Sequence, residues 1–143
     1  MIVIVDIDGT IADLTHRLHF IEQKPPDWDA FHAHVAADKA IFPVIAVVRA
    51  LAAAEHPIFM VSGRMEKCRE DTINWLRLHK VPFDALFMRP NDDYRPDTEI
   101  KNEILTKIGG PERVLLAIDD RKRVVEMWRS HGIKTMQVAK GNY

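Results

Sequence analysis

Asp6 and Asp8 stand two residues apart behind an apolar run at 2–5, and Gly9 and Thr10 follow them. Side chains two apart on an extended chain point to the same side, so both carboxylates can serve one site. Carboxylates that close repel each other unless a cation or a proton stands between them. Mg²⁺ meets that need, since it takes one or two carboxylates and completes its octahedral shell with water and phosphate oxygens. Gly9 lets the backbone turn tightly, and Thr10 adds a hydroxyl and an amide donor. A plain Asx-turn or helix cap would need only one Asp. Further along, Ser62-Gly63-Arg64 pairs a hydroxyl with a guanidinium suited to bidentate phosphate binding. Asp119-Asp120 adds two more acids. One of them could cap the helix expected from Arg121, and the second is left to meet a cation.

These groups act together only if the fold gathers them. Continuous apolar runs at 2–5, 57–61 (PIFMV) and 114–118 (VLLAI) read as strands covered on both faces, with weaker strands at 85–88 and 134–138. Helical spacing runs through 42–55, 66–79, 98–108 and 121–131, with stop signals at Gly109-Gly110-Pro111 and Gly132. Strands alternating with amphipathic helices predict an α/β, Rossmann-like three-layer sandwich around a parallel sheet of about five strands. Ligands of such sheets gather beyond the C-terminal strand ends. The Asp6–Asp8 pair, Ser62 to Arg64, and Asp119-Asp120 each follow a predicted strand. Four acids, a hydroxyl and a guanidinium therefore reach one rim.

Segment 13–41 breaks the alternation. It shows no clear strand and reads as a loop plus one short helix, a small insertion after the first strand. Trp28, Phe31 and Val35 fall on one helical face there and read as core rather than as a base-stacking platform.

The chain has 143 residues, enough for one domain, with 20 basic and 21 acidic side chains and a net charge of −1. No global field marks a polyanion binder, so any such affinity must be local. Arg121-Lys122-Arg123 with Arg129 is either a solvated helix face or, joined by Arg89 and Arg95, a groove for backbone phosphates. The single cysteine, Cys68, forms no internal disulfide and reads as a buried apolar residue of a reducing compartment. No signal peptide or membrane span is expected, so the chain reads as cytoplasmic. His16 with His19, and His32 with His34, lack the cysteine partners or HExxH pattern of a zinc site.

The rim residues also carry a resemblance. "DIDGT", "VSGR", Lys101 on its helix and "AIDDR" resemble, in order, the four motifs of the haloacid dehalogenase superfamily of phosphotransferases. "MVSGR", the "RPD" ahead of Lys101 and above all "EMWR" after "DDR" are similar to the 3′-phosphatase domain of phage polynucleotide kinase–phosphatase. The resemblance covers essentially the whole chain, 1–143, as a single haloacid dehalogenase-like phosphatase domain. It implies that 13–41 is a small cap, longer than the corresponding phage stretch.

That resemblance implies roles. Asp6 would be the nucleophile, forming an aspartyl-phosphate, and Asp8 the general acid and base, a role that favours a raised pKa. Lys101 would neutralise phosphoryl charge and the Asp6 carboxylate. Mg²⁺ would be held by Asp6, Asp119 and Asp120 and by the backbone carbonyl of Asp8. Thr10, Arg17, Ser62, Gly63, Arg64 and Asp97 would bind substrate. Asp97 reads equally as a cap for the helix starting at Thr98 or as a brace for Lys101, and Arg17 alternatively as a solvated surface residue. The implied function is Mg²⁺-dependent hydrolysis of 3′-phosphates on nucleic acid or nucleotides, in end healing. No GxxxxGK[ST] loop is present, so the chain carries no kinase half and reads either as a free-standing phosphatase, with a separate kinase or ligase as partner, or as a domain cut from a larger protein. The alternatives are a small-molecule phosphatase acting on mononucleotides or sugar phosphates, and a non-enzymatic phospho-receiver.

Overall fold

β1 (Ile2–Val5) is buried along its whole length, which accounts for its lack of polar alternation. In this computed structural model, which describes residues 1–142, the chain then makes an excursion. The excursion holds β2 (Ala12–Asp13), α1 (His19–Glu22), α2 (Trp28–Ala33) and β3 (Lys39–Ala40), with 3-10 turns at Thr15–Arg17 and Val35–Ala37. Regular alternation follows: α3 (Phe42–Ala53), β4 (Ile58–Met65), α4 (Arg69–Leu78), β5 (Ala85–Arg89), α5 (Asp97–Lys107), β6 (Val114–Asp119), α6 (Lys122–Ser130) and β7 (Thr135–Gln137). Tyr143, the last residue of the expected domain, lies outside the described residues.

Strands β5, β4, β1, β6 and β7 lie side by side in that order, every pair parallel. This is the expected α/β sandwich with a five-stranded parallel sheet. β1 is central, and its side chains alternate between two cores. Val3 and Val5 join Ile45 and Val48 of α3 and Trp75 and Leu76 of α4. Ile2 and Ile4 join Ile100 and Ile104 of α5 and Val124 and Trp128 of α6. Each such fully buried side chain contributes about 1.5–3 kcal/mol of apolar transfer energy. The sheet rim beside β1 is thereby held by both helical layers. Cys68 is buried, as expected.

Three details differ from the sequence reading. β4 runs on through Ser62, Gly63 and Arg64, and its register with β5 shifts between Val61 and Met65. A bulge of that kind re-aims side chains at a sheet end, and the polar triplet hid the strand's continuation. The excursion contains two short helices and an antiparallel ribbon pairing Ala12 with Ala40 and Asp13 with Lys39, where a loop and one helix were expected. Two-residue strands carry no period-2 signal. Finally, α5 starts at Asp97 itself, with Pro96 at the cap position and no side-chain cap bond. Among the described residues no helix is long and apolar enough to cross a membrane.

Candidate active site

Asp6 leaves the end of β1, where its amide donates to the Ile118 carbonyl of β6 at 2.9 Å. That bond seats it beside the central strand pair, with its side chain buried. The turn behind it is tight. The amides of Thr10, Ile11 and Ala12 all donate to the Ile7 carbonyl at 3.1, 3.0 and 3.0 Å. Gly9 has a φ of 80°, a left-handed conformation that favours glycine. The turn brings the Thr10 hydroxyl back to Asp6, where it donates to Oδ2 at 2.8 Å and lies 3.3 Å from Asp120 Oδ1.

Lys101 is buried on the inner face of α5. Its Nζ donates to Asp6 Oδ1 at 2.8 Å and to Asp119 Oδ2 at 2.9 Å. Asp119 Oδ2 also accepts from the Trp128 indole at 3.2 Å, and its Oδ1 accepts from the Asp120 and Arg121 amides at 2.9 and 3.3 Å. Asp6, Asp119 and Asp120 each offer an oxygen within 4.8 Å of the others. Three buried carboxylates thus face one buried ammonium. Burial, and then Asp119, push the Asp6 carboxyl well above its usual range while Lys101 opposes them. Burial works against the Lys101 charge, but Asp119 and Asp6 outweigh it and raise its pKa. An all-oxygen donor set of three buried carboxylates fits a hard divalent cation. Asp6, Asp119 and Asp120 are the residues that would hold it.

Asp8 faces elsewhere. Its Oδ1 accepts from Nη2 of Arg17 and Nη2 of Arg64, both at 2.7 Å, and Nε of Arg64 lies 3.1 Å away. Burial by itself would raise this carboxyl, but the Arg64 and then the Arg17 guanidinium override it and bring it down to about 2. The expected raised pKa is therefore not what the protein alone provides. The Asp8 side chain is also absent from the carboxylate cluster, which leaves only its backbone carbonyl to enter a cation's shell.

Arg17 is not a solvated residue; it is fully buried. Its Nε and Nη2 donate to Asp38 at 2.8 and 2.9 Å, and its guanidinium carbon lies 4.3 Å from the centre of the Phe31 ring. Arg64 donates to the same Asp38 at 2.9 Å and to the Thr72 hydroxyl at 3.0 Å. Asp38, just ahead of β3, thus clamps both guanidiniums that hold Asp8. His16 Nε2 lies 2.7 Å from it, and its backbone carbonyl accepts from the Trp75 indole at 2.7 Å. Sequence reasoning missed Asp38, because a lone acid in an irregular segment has no local pattern to mark it.

Ser62 is buried, with its Oγ accepting from the Arg64 amide at 3.1 Å. Gly63 lies against Asp97 so closely that a Cβ there would meet Asp97 Oδ1 at 2.8 Å. Asp97 is gripped by Nη2 of Arg89 and Nη1 of Arg121, and it acts on Lys101 only as a nearby charge. Its cap reading is overturned. Arg89 further donates to the carbonyls of Gly63, Asp93 and Arg95, so it holds the loop ahead of α5.

The rim opens into a cavity of ≈ 320 Å³. Asp6, Asp8, Arg64 and Asp97 line it on one side, and Arg89, Arg95 and Arg121 also border it. Lys122, Arg123 and Arg129 do not. Leu18 and Ile21 of the excursion supply apolar lining, together with Trp28 and Phe31 of α2. Phe31 and Val35 are core as expected, but Trp28 is 50% exposed and is not.

The model of the family described as the polynucleotide kinase PNKP phosphatase domain matches residues 1–143. A chain of the Pnkp1/Rnl/Hen1 complex superposes with a TM-score of 0.87 at 29% identity, covering 99% of this chain and 47% of that one. A chain from a structure of the Pnkp1/Rnl/Hen1 RNA repair complex gives 0.86 at 29% identity, covering 99% and 43%. The protein therefore spans less than half the length of either. A haloacid dehalogenase-like hydrolase from Streptococcus pneumoniae matches at 0.70 and 15% identity, over 95% of this chain and 83% of that one, a likeness of fold alone.

Proposed function

The chain belongs to the family of polynucleotide kinase PNKP phosphatase domains, within the haloacid dehalogenase superfamily, and from that premise we propose that it removes 3′-phosphates from nucleic acid ends or nucleotides. We read 1–143 as one phosphatase domain with 13–41 as its small cap. The observation that carries the reading is Asp6. It is buried and held by Lys101 and Thr10, and it faces Asp119 and Asp120 at the mouth of a cavity about the size of one nucleotide.

An Asp6 carboxylate oxygen attacks phosphorus, the bond to the 3′-oxygen breaks, and Asp8 gives that oxygen a proton. Asp8 then takes a proton from a water that attacks the same phosphorus, releasing phosphate and restoring Asp6. Asp8 is ionised in the free site, so the water-activating half suits it directly. For the acid half, a phosphoryl group seated against Arg64 takes up hydrogen bonds that Asp8 otherwise accepts, and the carboxyl rises as they leave. Asp6, Asp119 and Asp120 would hold Mg²⁺, which would supply charge neutralisation at the phosphoryl oxygens. Lys101 keeps its proton throughout and offsets the charge on Asp6 and Asp119. Arg17 acts through Asp8, Arg64 and Ser62 border the phosphoryl position, and Gly63 and Asp97 set the position of Arg89 and Arg121.

The similar chains come from an RNA repair complex, which supports an end-healing role beside a separate kinase or ligase. A buried, unpaired Cys68 suits a cytoplasmic setting. Membership of a phosphatase family argues against the phospho-receiver. The one-nucleotide cavity also suits a mononucleotide phosphatase. Phosphate release from 3′-, 5′- and cyclic-phosphate nucleotides and from 3′-phosphorylated oligonucleotides, with Mg²⁺ present, separates the readings. The expected result is preference for 3′-phosphates, abolished in Asp6→Asn and Asp8→Asn. Mononucleotides turned over orders of magnitude faster than oligonucleotide ends would defeat the end-healing role.

A further inference from the structure

Two large aromatic side chains line the same cavity as Asp6 and Asp8 yet remain open to solvent. Trp28 is 50% exposed and Tyr94 76%, whereas Trp75 and Trp128 are buried. They come from different parts of the chain, α2 of the excursion and the loop ahead of α5. Both are held in place despite their exposure. Trp28 packs edge-on against Phe31 at 5.8 Å and stacks with His32 at 6.1 Å, and its helix is capped by Asp27, whose side chain accepts from the Ala30 amide at 3.0 Å. The residues flanking Tyr94 are pinned: Arg89 takes the carbonyls of Asp93 and Arg95, and the Arg95 side chain bonds Asp93 and Glu103.

The cavity's lining is therefore mixed. Carboxylates and guanidiniums line it together with Leu14, Leu18, Ile21, Met65 and Phe31 and the two exposed aromatics. A sugar phosphate offers such a surface only the C–H groups of its ring and has no π-face. A nucleotide has one in its base, and ≈ 320 Å³ accommodates about one nucleotide. We propose that Trp28 and Tyr94 are stacking contacts for the base of the nucleotide bearing the 3′-phosphate, so that the site recognises a terminal nucleoside and not only its phosphate. This rests on the 3′-phosphatase reading above. Stacking uses the π-face that every base possesses, so it reads the presence of a base and not its identity.

The experiment compares 3′-phosphorylated oligonucleotides ending in an ordinary nucleotide with ones ending in an abasic tetrahydrofuran residue. KM and kcat are measured for the wild type, W28A, Y94A, Trp28→Phe and Tyr94→Phe, with para-nitrophenyl phosphate as a parallel substrate. In the wild type the abasic end should raise KM about tenfold or more, with kcat moving far less and the four bases differing little among themselves. That ratio should shrink several-fold in each alanine variant and be retained in the phenylalanine variants. Because it is a ratio, it is insensitive to the fraction of folded enzyme. A wild-type ratio near one, with both ends hydrolysed, overturns this inference and leaves the 3′-phosphatase reading standing. A ratio undiminished in both alanine variants likewise overturns it. Hydrolysis of the aryl phosphate without hydrolysis of either 3′-phosphorylated end defeats the parent reading and this inference with it.

Discussion

Asp6 is buried close to the carboxylates of Asp119 and Asp120, and both of them push its own carboxyl up against the opposing pull of Lys101. Asparagine at position 6 keeps the shape: its amide oxygen can still accept from Lys101, while its NH2 donates to a turned Thr10 hydroxyl. Asp6→Asn should therefore abolish phosphate release yet raise the melting temperature of metal-free protein by about 3 °C or more, measured by thermal denaturation in chelator. Adding Mg²⁺ should stabilise the wild type and barely affect the variant. Asp8 behaves in the opposite way. Its folded pKa of about 2 lies below the unfolded value of about 3.9, so its contribution to stability is complete above the unfolded value and fades as pH falls toward the folded one. The melting-temperature gap between wild type and Asp8→Asn should thus be widest above pH of about 4 and narrow on acidification. Asp6, Asp8, Asp119 and Asp120 could be picked out from the sequence because each follows an apolar run. The charges that set Asp8 apart from the others could not, since Arg17 and Arg64 meet it from 9 and 56 residues away.

β4 and the excursion carry the site at the level of elements. The bulge in β4 lets Gly63 meet Asp97, with no room for a methyl group between them. Gly63→Ala should displace Asp97 and with it Arg89, lowering kcat/KM about tenfold with a stability loss of about 1–3 kcal/mol by denaturant titration. Asp38 matters for a different reason, because it is the carboxylate between two buried guanidiniums. Asp38→Asn leaves both short of charge, so unfolding free energy should fall by about 3 kcal/mol and kcat by tenfold or more. The strands β1, β4 and β6 were readable as continuous apolar runs. The ribbon of β2 and β3 was not, because elements of two residues have no periodicity and depend on partners about 28 residues off. The extension of β4 was hidden by residues chosen for the rim rather than for the sheet.

The whole molecule is organised around β1, flanked on both sides and covered on both faces. Hydrogen exchange should find the amides of β1 and β6 opening only with global unfolding, while those of α1, which has no buried residue, exchange orders of magnitude faster. Parallel sheet, layer order and rim followed from alternation along the chain, a long-range pattern. The cavity's apolar side did not, since Trp28 reads as core by spacing and only its neighbours decide otherwise. One consequence concerns engineering. The excursion supplies, through Asp38, the counter-charge that keeps Arg17 and Arg64 on Asp8. Grafting a foreign loop in its place would remove that anchor along with the cavity wall. A transplant that ignores it would also lose Arg17, so any exchange of this segment must carry both an acid and a guanidinium to the same spots.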